Sequence, residues 1–136
     1  MMKKFLTIAA VSAAAFLAVS CSEGTCELDG EWTVTEITGV NVADAENQPI
    51  LNIDANKKEY HGETGVNVIN GNLKFGDGSI TFEPGAMTKM MGAPSSMAVE
   101  DMYVSIINSA NSYEMIDENT AVIKNASGAQ MTLTRK

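Results

Sequence analysis

The chain has 136 residues, and its 9 basic residues against 17 acidic ones give a formal net charge of −8. A surface with this excess of negative charge repels phosphate backbones, so the composition argues against nucleic-acid binding. One histidine and two cysteines are too few for the usual zinc ligand sets, and the sequence predicts no cofactor.

The amino-terminal segment has the features of an export signal. Lys3 and Lys4 precede an apolar run over residues 5–19, which is shorter than a membrane span of about 20 residues. The run ends in Leu17-Ala18-Val19-Ser20-Cys21, which resembles the lipobox of bacterial lipoproteins. The resemblance implies that residues 1–20 are a cleaved signal peptide and that the Cys21 sulfur carries a diacylglycerol. Two or three acyl chains give a lasting membrane anchor, whereas one gives only marginal binding.

A lipid on Cys21 decides what the second cysteine can do. The modified sulfur has no thiol left, which excludes a disulfide or a metal pair with Cys26. Cys26 then lies in a tether over residues 21–27, either as an inert thiol or as a partner in mixed disulfides or covalent dimers.

Ser22 stands where an aspartate would often signal retention in the inner membrane, so we expect the outer membrane of a bacterial envelope. The sequence leaves open which face of that membrane the domain occupies.

Residues 28–136 predict one domain made mainly of β-strands. Glu31–Thr38 alternates Trp32, Val34 and Glu36 with Thr33, Thr35 and Ile37, and Gly76-Asp77-Gly78 is a strong signal for a tight hairpin turn. The other predicted strands are Pro49–Ile53, Glu59–Thr64, Asn72–Phe75, Ser79–Phe82, Tyr113–Ile116, Thr120–Lys124 and Gln130–Thr134.

One helix is predicted over Ser96–Ser109, because apolar residues recur there at steps of three and four. Ser95 or Ser96 is expected to cap its amino end after Pro94, and the neighbours Glu100 and Asp101 are expected to be solvated. Five strands, a helix and three more strands predict an α+β domain with mainly antiparallel pairing.

Four short motifs in this domain occur in a recognisable order. They are Leu28-Asp29-Gly30-x-Trp32, then Gly62-x-x-Gly65-Val66-Asn67 with Gly71-x-Leu73, then Thr88-Lys89-Met90, and finally Gly128-x-x-Met131-x-Leu133-x-Arg135. In this order and spacing they resemble the META/HslJ domain over Leu28 to Lys136. The resemblance implies a small, strongly curved, barrel-like antiparallel sheet with one packed helix.

The motif positions are interpreted as structural. They are Trp32, Gly65, Asn67, Gly71, Thr88 and Met90, and turn glycines and core aromatics are common in any small β domain. Family members commonly carry cysteines where this chain has Val66 and Gly92. If those cysteines face each other in relatives, Val66 and Gly92 should lie close together here.

Two chemical alternatives come from other residues. His61 is the single histidine, and without a nucleophile motif beside it we expect a surface position on a strand, so the chain is not predicted to be an enzyme. Met87, Met90 and Met91, with Met97 nearby, offer soft thioethers that suit Cu(I), although core packing is the favoured interpretation.

The META/HslJ resemblance also implies a class of function. Members of that family are envelope or secreted proteins associated with heat shock, drug resistance or virulence. We therefore expect a non-enzymatic, membrane-anchored envelope lipoprotein that serves stress response or envelope maintenance by binding a partner protein or an apolar ligand. An apolar ligand requires an internal cavity, whereas a partner requires a filled interior and exposed apolar side chains.

Overall fold

A computed structural model describes residues 27–83 and 85–136 of the chain. The predicted signal peptide and the predictions on Cys21 and Cys26 lie outside these residues. The described strands are β1 (Gly30–Ile37), β2 (Ile50–Asp54), β3 (Glu59–Glu63), β4 (Val68–Phe75), β5 (Ile80–Glu83), β6 (Ala110–Asp117), β7 (Thr120–Asn125) and β8 (Gln130–Arg135). Helix α1 (Pro94–Ser109) lies between β5 and β6, and a 3₁₀ turn (Val42–Asp44) follows β1.

All eight described strands form one antiparallel sheet in the order β5-β4-β3-β2-β1-β8-β7-β6. The first and last of the described strands, β1 and β8, pair with each other and so join β1–β5 to β6–β8 within the sheet. Its two edges meet where Ser79 pairs with Ser112 and the Tyr113 N–H donates to the Gly78 carbonyl, at 3.1 Å. The sheet is therefore a nearly closed barrel with one packed helix, which confirms the predicted α+β class.

Three elements, β4, β6 and α1, differ from their predicted bounds by two residues or more, and β6 begins at Ala110 rather than Tyr113. Strand β4 begins at Val68 rather than Asn72, because the β3–β4 hairpin turns over residues 64–67 and pairs Val68 with Glu63. Helix α1 begins at Pro94, and Ala93 occupies the capping position without a side-chain hydrogen bond. The predicted serine cap is wrong, because the Ser96 hydroxyl instead accepts from the Glu46 N–H at 3.0 Å. The 3₁₀ turn was not predicted.

A bulge in β1 explains why its burial does not alternate throughout. The pairing with β8 shifts register between Val34 and Glu36, which leaves Thr35 as an extra residue. Trp32 and Val34 face the core before the bulge, and Ile37 faces it after the bulge. Glu36 is consequently exposed although simple alternation from Trp32 would bury it.

The interior is filled by side chains from the sheet and the helix. Trp32 is the largest of the fully buried side chains, and α1 contributes Val99, Tyr103, Ile106 and Ile107, each fully buried. The Tyr103 hydroxyl donates to the Ile50 carbonyl at 2.6 Å and so joins the helix to β2. No helix in the described part of the chain combines the length and apolar character needed to span a bilayer.

Candidate functional site

Trp32 lies at the junction between the start of the domain and its last strand. Its indole N–H donates to the Leu28 carbonyl at 2.7 Å, and the Arg135 guanidinium lies 4.2 Å from the ring centroid. Arg135 also donates to the carbonyls of Glu27, Asp29 and Glu118. These contacts fix the position at which the described chain begins, next to its carboxyl end.

Asn67 is the centre of a buried hydrogen-bond network in the β3–β4 turn. Its Oδ1 accepts from the Thr88 hydroxyl at 2.8 Å and from the Met90 N–H at 2.6 Å. Its Nδ2 donates to the Met90 carbonyl at 3.0 Å and to Glu100 Oε1 at 2.8 Å. Asn67, 3% exposed, thereby joins the turn, the segment before α1 and the helix itself.

Glu100 is a buried member of this network and not the solvated residue that the sequence indicated. It is 5% exposed, and its Oε1 also accepts from the Thr64 hydroxyl at 2.6 Å. The Thr64 hydroxyl oxygen in turn accepts from the Asn67 N–H at 2.9 Å, which stabilises the β3–β4 turn beneath the helix. The prediction failed because the partners of Glu100 come from a turn more than thirty residues away.

The motif glycines Gly65 and Gly71 occupy sites where a side chain does not fit. Gly65 has a φ of +101°, and a Cβ there would lie 2.8 Å from Ala45 Cβ. A Cβ on Gly71 would collide with the Glu83 carbonyl oxygen and lie 2.8 Å from the Tyr60 ring. Both glycines therefore permit a close approach that a side chain would block.

The four methionines of the copper hypothesis have different surroundings. Met87 packs partly buried against the core, whereas Met90 and Met91 are 57% and 83% exposed, so the favoured interpretation of core packing is wrong for these two. The Met97 sulfur accepts a hydrogen bond from the Gly92 N–H at 3.3 Å. Met90 is held through its backbone by Asn67, which leaves its side chain free to project from the surface.

A polar cleft of about 770 Å³ lies on the outer face of strands β1–β4. Register places Glu31 opposite Asn52, Asn52 opposite His61, and His61 opposite Asn70, which forms a polar row across four strands. His61 Nδ1 lies 2.7 Å from Asn70 Oδ1, and Nε2 lies 3.5 Å from a carboxylate oxygen of Glu63. The predicted surface position of His61 on a strand is therefore correct. The cleft is further lined by Asp29, Gly30, Ile53, Asp54, Asn56, Glu59, Tyr60, Gly71, Asn72, Gly85 and Ala86.

Burial changes the acidity of two tyrosines of the core. It raises the pKa of Tyr60, whose hydroxyl donates to the Glu83 carbonyl at 3.1 Å. It raises the pKa of Tyr103 much further, and the nearby Tyr60 and Glu63 add to that effect. Both phenols are therefore neutral structural donors at ordinary pH.

Comparison with protein families decides the classification of the chain. The model of the META domain matches residues 25–136. The chain belongs to the META domain family. None of the curated protein sequences matches it significantly.

Solved structures share the fold of this META domain at low sequence identity. A protein from Burkholderia xenovorans, solved by NMR, is 18% identical with a TM-score of 0.64, covering 95% of this chain and 94% of its own. A second NMR structure is 19% identical with a TM-score of 0.62, covering 79% of this chain and 89% of its own. A DUF4847 family protein from Bacteroides vulgatus is 13% identical with a TM-score of 0.55, covering 80% of this chain and 94% of its own. At these identities the likeness concerns the fold alone.

Val66 and Gly92 face each other in this META domain. A Cβ built on Gly92 lies 3.0 Å from Val66 Cγ2 and 3.4 Å from Cγ1. A valine Cγ stands where a cysteine sulfur would, and across a disulfide each sulfur lies roughly 3 Å from the partner's Cβ, so this separation suits a cysteine pair. The predicted proximity of these two positions is therefore correct.

The cleft of this META domain was missed by sequence reasoning. Its polar row occupies outward positions of four strands, and each strand alone shows only the usual polar alternation. The signal that could have found it is the register of β1–β4, which places one polar side chain from each strand in line. Register depends on turn lengths, and the β3–β4 turn was the one placed wrongly.

Proposed function

We propose that this META domain protein is a non-enzymatic lipoprotein of the bacterial envelope, anchored in the outer membrane through Cys21, which acts by binding a partner protein. The lipobox sequence ending at Cys21 supports the anchor. The described chain begins at Glu27, six residues after that cysteine, and Arg135 holds its first carbonyl at 2.8 Å. The domain would thus sit close to the membrane on a short tether, in a position suited to envelope maintenance under stress.

The filled interior is the observation that carries the binding mode. The side chains of Trp32, Tyr103 and Phe82 occupy the space inside the barrel where an apolar ligand would have to enter, each at most 2% exposed. The cleft of about 770 Å³ is polar and lies on the outside of the sheet. Met90 and Met91 meanwhile project into solvent, and flexible thioether side chains suit contact with another protein. These features favour a partner over an enclosed apolar ligand.

A non-enzymatic role is supported by the surroundings of His61. The groups that its ring contacts are the Asn70 amide and the Glu63 carboxylate, on strands β3 and β4. Neither group is the serine or cysteine nucleophile that a histidine base would activate.

The anchor is tested by metabolic labelling with an alkyne fatty acid in a bacterial host that expresses the full chain. We expect label on the wild-type protein in the outer-membrane fraction, and none on a Cys21→Ala variant. Cys26→Ala is the matched control and should keep both label and location. An unlabelled wild-type protein, or label that is lost only in Cys26→Ala, would contradict the proposed anchor.

A further inference from the structure

The described chain begins at one particular end of the barrel. The Arg135 guanidinium donates to the carbonyls of Glu27 and Glu118, at 2.8 and 3.1 Å. Asp29 Oδ1 accepts from the N–H of Ala55 at 2.7 Å, which joins the start of the chain to the β2–β3 turn as well. Because neighbouring strands are antiparallel, the β4–β5 and β6–β7 turns lie at this same end. We call this end, with its turns at residues 55–58, 76–79 and 118–119, the tether end.

The exposed methionines lie at the opposite end of the barrel. The β3–β4 turn is there, and its Asn67 bonds the N–H and the carbonyl of Met90. Strands β1 and β4 run between the two ends with eight residues each, about 26 Å along the strand. The six residue steps from Cys21 to Glu27 span at most about 20 Å when fully extended. A tether of this length keeps the tether end beside the anchor and holds the methionine end away from it.

Two adjacent lysines occupy the tip of the β2–β3 hairpin at the tether end. Lys57 and Lys58 are both exposed, and neither belongs to an ion pair among the described residues. Their backbone is fixed, because the Lys57 N–H donates to Asp54 Oδ1 at 3.0 Å and the Lys58 carbonyl accepts from the Leu73 N–H at 2.7 Å. The hairpin therefore presents two free ammonium groups beyond the ends of its strands.

Lys58 also has an unusual backbone conformation. Its φ is +57°, and within the part of the chain that the structure describes it is the one residue other than glycine with a positive φ. Glycine and asparagine fit this left-handed region better than lysine does. Strained residues of this kind are concentrated at functional sites, so the conformation favours a role for the lysine side chain.

We propose that the tether end rests on the phospholipid headgroups of the membrane that holds the anchor, with Lys57 and Lys58 bound to lipid phosphates. The proposal rests on the anchor at Cys21 proposed above and adds the surface that faces the membrane. Acidic residues of the same end, Asp77 and Glu118, suit the ammonium group of phosphatidylethanolamine. Met90 and Met91 then point away from the bilayer, toward a partner protein rather than toward lipid.

The test uses the lipidated full chain in vesicles of phosphatidylethanolamine and phosphatidylglycerol that contain a lipid with a spin label on its headgroup. A nitrobenzoxadiazole fluorophore is attached to one cysteine at a time in a Cys26→Ser background. Asn56→Cys reports on the tether end, whereas Met91→Cys and Ala126→Cys report on the opposite end, and all three positions are exposed. We expect the spin label to quench the fluorophore at position 56 several times more strongly than at positions 91 and 126.

The lysines are tested by charge removal in the Asn56→Cys protein. Lys57→Gln and Lys58→Asn should each reduce the ratio of oriented to unoriented molecules by up to about fivefold, and so weaken the quenching at position 56. Lys89→Gln is the matched control, since Lys89 is exposed at the methionine end and should leave the quenching unchanged. Lys58→Asn should unfold at the same urea concentration as the wild type or a higher one, because asparagine tolerates a positive φ.

The outcomes separate this proposal from the anchor itself. A lipidated protein that is quenched equally at both ends overturns the orientation and leaves the anchor standing. Stronger quenching at position 91 than at positions 56 and 126 overturns it in favour of methionines inserted in the bilayer. Equal effects of Lys58→Asn and Lys89→Gln overturn the lysine contact. A wild-type protein that carries no lipid overturns the anchor and the orientation together.

Discussion

At the residue scale, Asn67 is constrained at every polar atom of its side chain. Its oxygen accepts from Thr88 and Met90 while its nitrogen donates to Met90 and Glu100. Aspartate has nearly the same shape but lacks the two donors, and it would place a second carboxylate beside Glu100. The motif asparagine is therefore explained by the need to join a turn, a loop and a helix inside the protein.

Replacing Asn67 by alanine should lower the free energy of unfolding by about 3 kcal/mol, because the buried Glu100 carboxylate keeps only the Thr64 donor and the Met90 backbone loses both bonds to Asn67. Asn67→Asp should be no more stable than the alanine variant. The measurement is urea unfolding followed by circular dichroism. Asn72→Ala is the control, since Asn72 is exposed on β4 and should change stability by less than about 0.5 kcal/mol. Equal losses in the Asn67 and Asn72 variants would contradict the role of the network.

Tyr103 makes the free energy of unfolding decrease as the pH rises in the alkaline range. Burial holds its pKa far above the ordinary value near 10, so the folded protein keeps the phenolic proton that the unfolded chain releases. The stabilising contribution is complete below about pH 10 and falls above it by about 1.4 kcal/mol per pH unit. Tyr60, whose pKa is also raised, acts in the same direction.

Tyr103→Phe should be less stable than the wild type at pH 7 by about 1–3 kcal/mol, because the Ile50 carbonyl loses its donor. Its stability should nevertheless fall less steeply between pH 10 and 11.5. Urea unfolding at several pH values measures both quantities. Parallel pH profiles for the two proteins would show that Tyr103 is not the titrating group.

At the element scale, the β3–β4 turn and the segment before α1 are held together without a covalent link. Asn67 supplies hydrogen bonds between them, and Val66 packs against Gly92 a few ångströms away. Gly92 is not among the glycines with positive φ, so its backbone accepts another residue. Val66 and Gly92 therefore lie where a disulfide could link the two segments, with an apolar valine in place of one of the cysteines.

Val66→Cys combined with Gly92→Cys should form a disulfide and raise stability by up to about 3.5 kcal/mol, the loop-closure value for positions 26 residues apart. A Cys26→Ser background keeps the third thiol from exchanging. Mass spectrometry without reductant detects the bond, and urea unfolding with and without reductant measures its contribution. Two free thiols in the purified protein would refute the facing arrangement. The Val66→Cys single variant controls for the loss of the valine.

The elements differ in how far the sequence could predict them. Strand β8 follows the two-residue alternation, whereas β7 contains three consecutive buried residues, and the predicted bounds of both strands agree with the structure to one residue. The start of β4 was missed because Asn67, Asn70 and Gly71 are typical of turns, whereas pairing with β3 makes residues 68–71 strand. Tertiary pairing outweighs local propensity there. The β1 bulge was likewise hidden, since it depends on register with β8 more than ninety residues away.

At the scale of the whole molecule, the pairing of β1 with β8 joins two sheet halves that are separate in the chain. Their outer edges meet at Ser79 and Ser112, and α1 packs against β5, β7, β1 and β8 to fill the remaining space. The motif order indicated this curved sheet from sequence. The outer cleft could not be predicted, because it exists only when Glu31, Asn52, His61 and Asn70 come into line.

We propose a lipid-anchored META domain that has a filled interior and acts by binding a partner protein. Native mass spectrometry of the protein released from outer membranes tests this claim most directly, because one spectrum reports the processed amino terminus, the lipid and any bound protein. We predict a chain that begins at Cys21, carries acyl groups and is associated with a second protein in fixed stoichiometry. An unlipidated monomer with nothing bound would contradict the account.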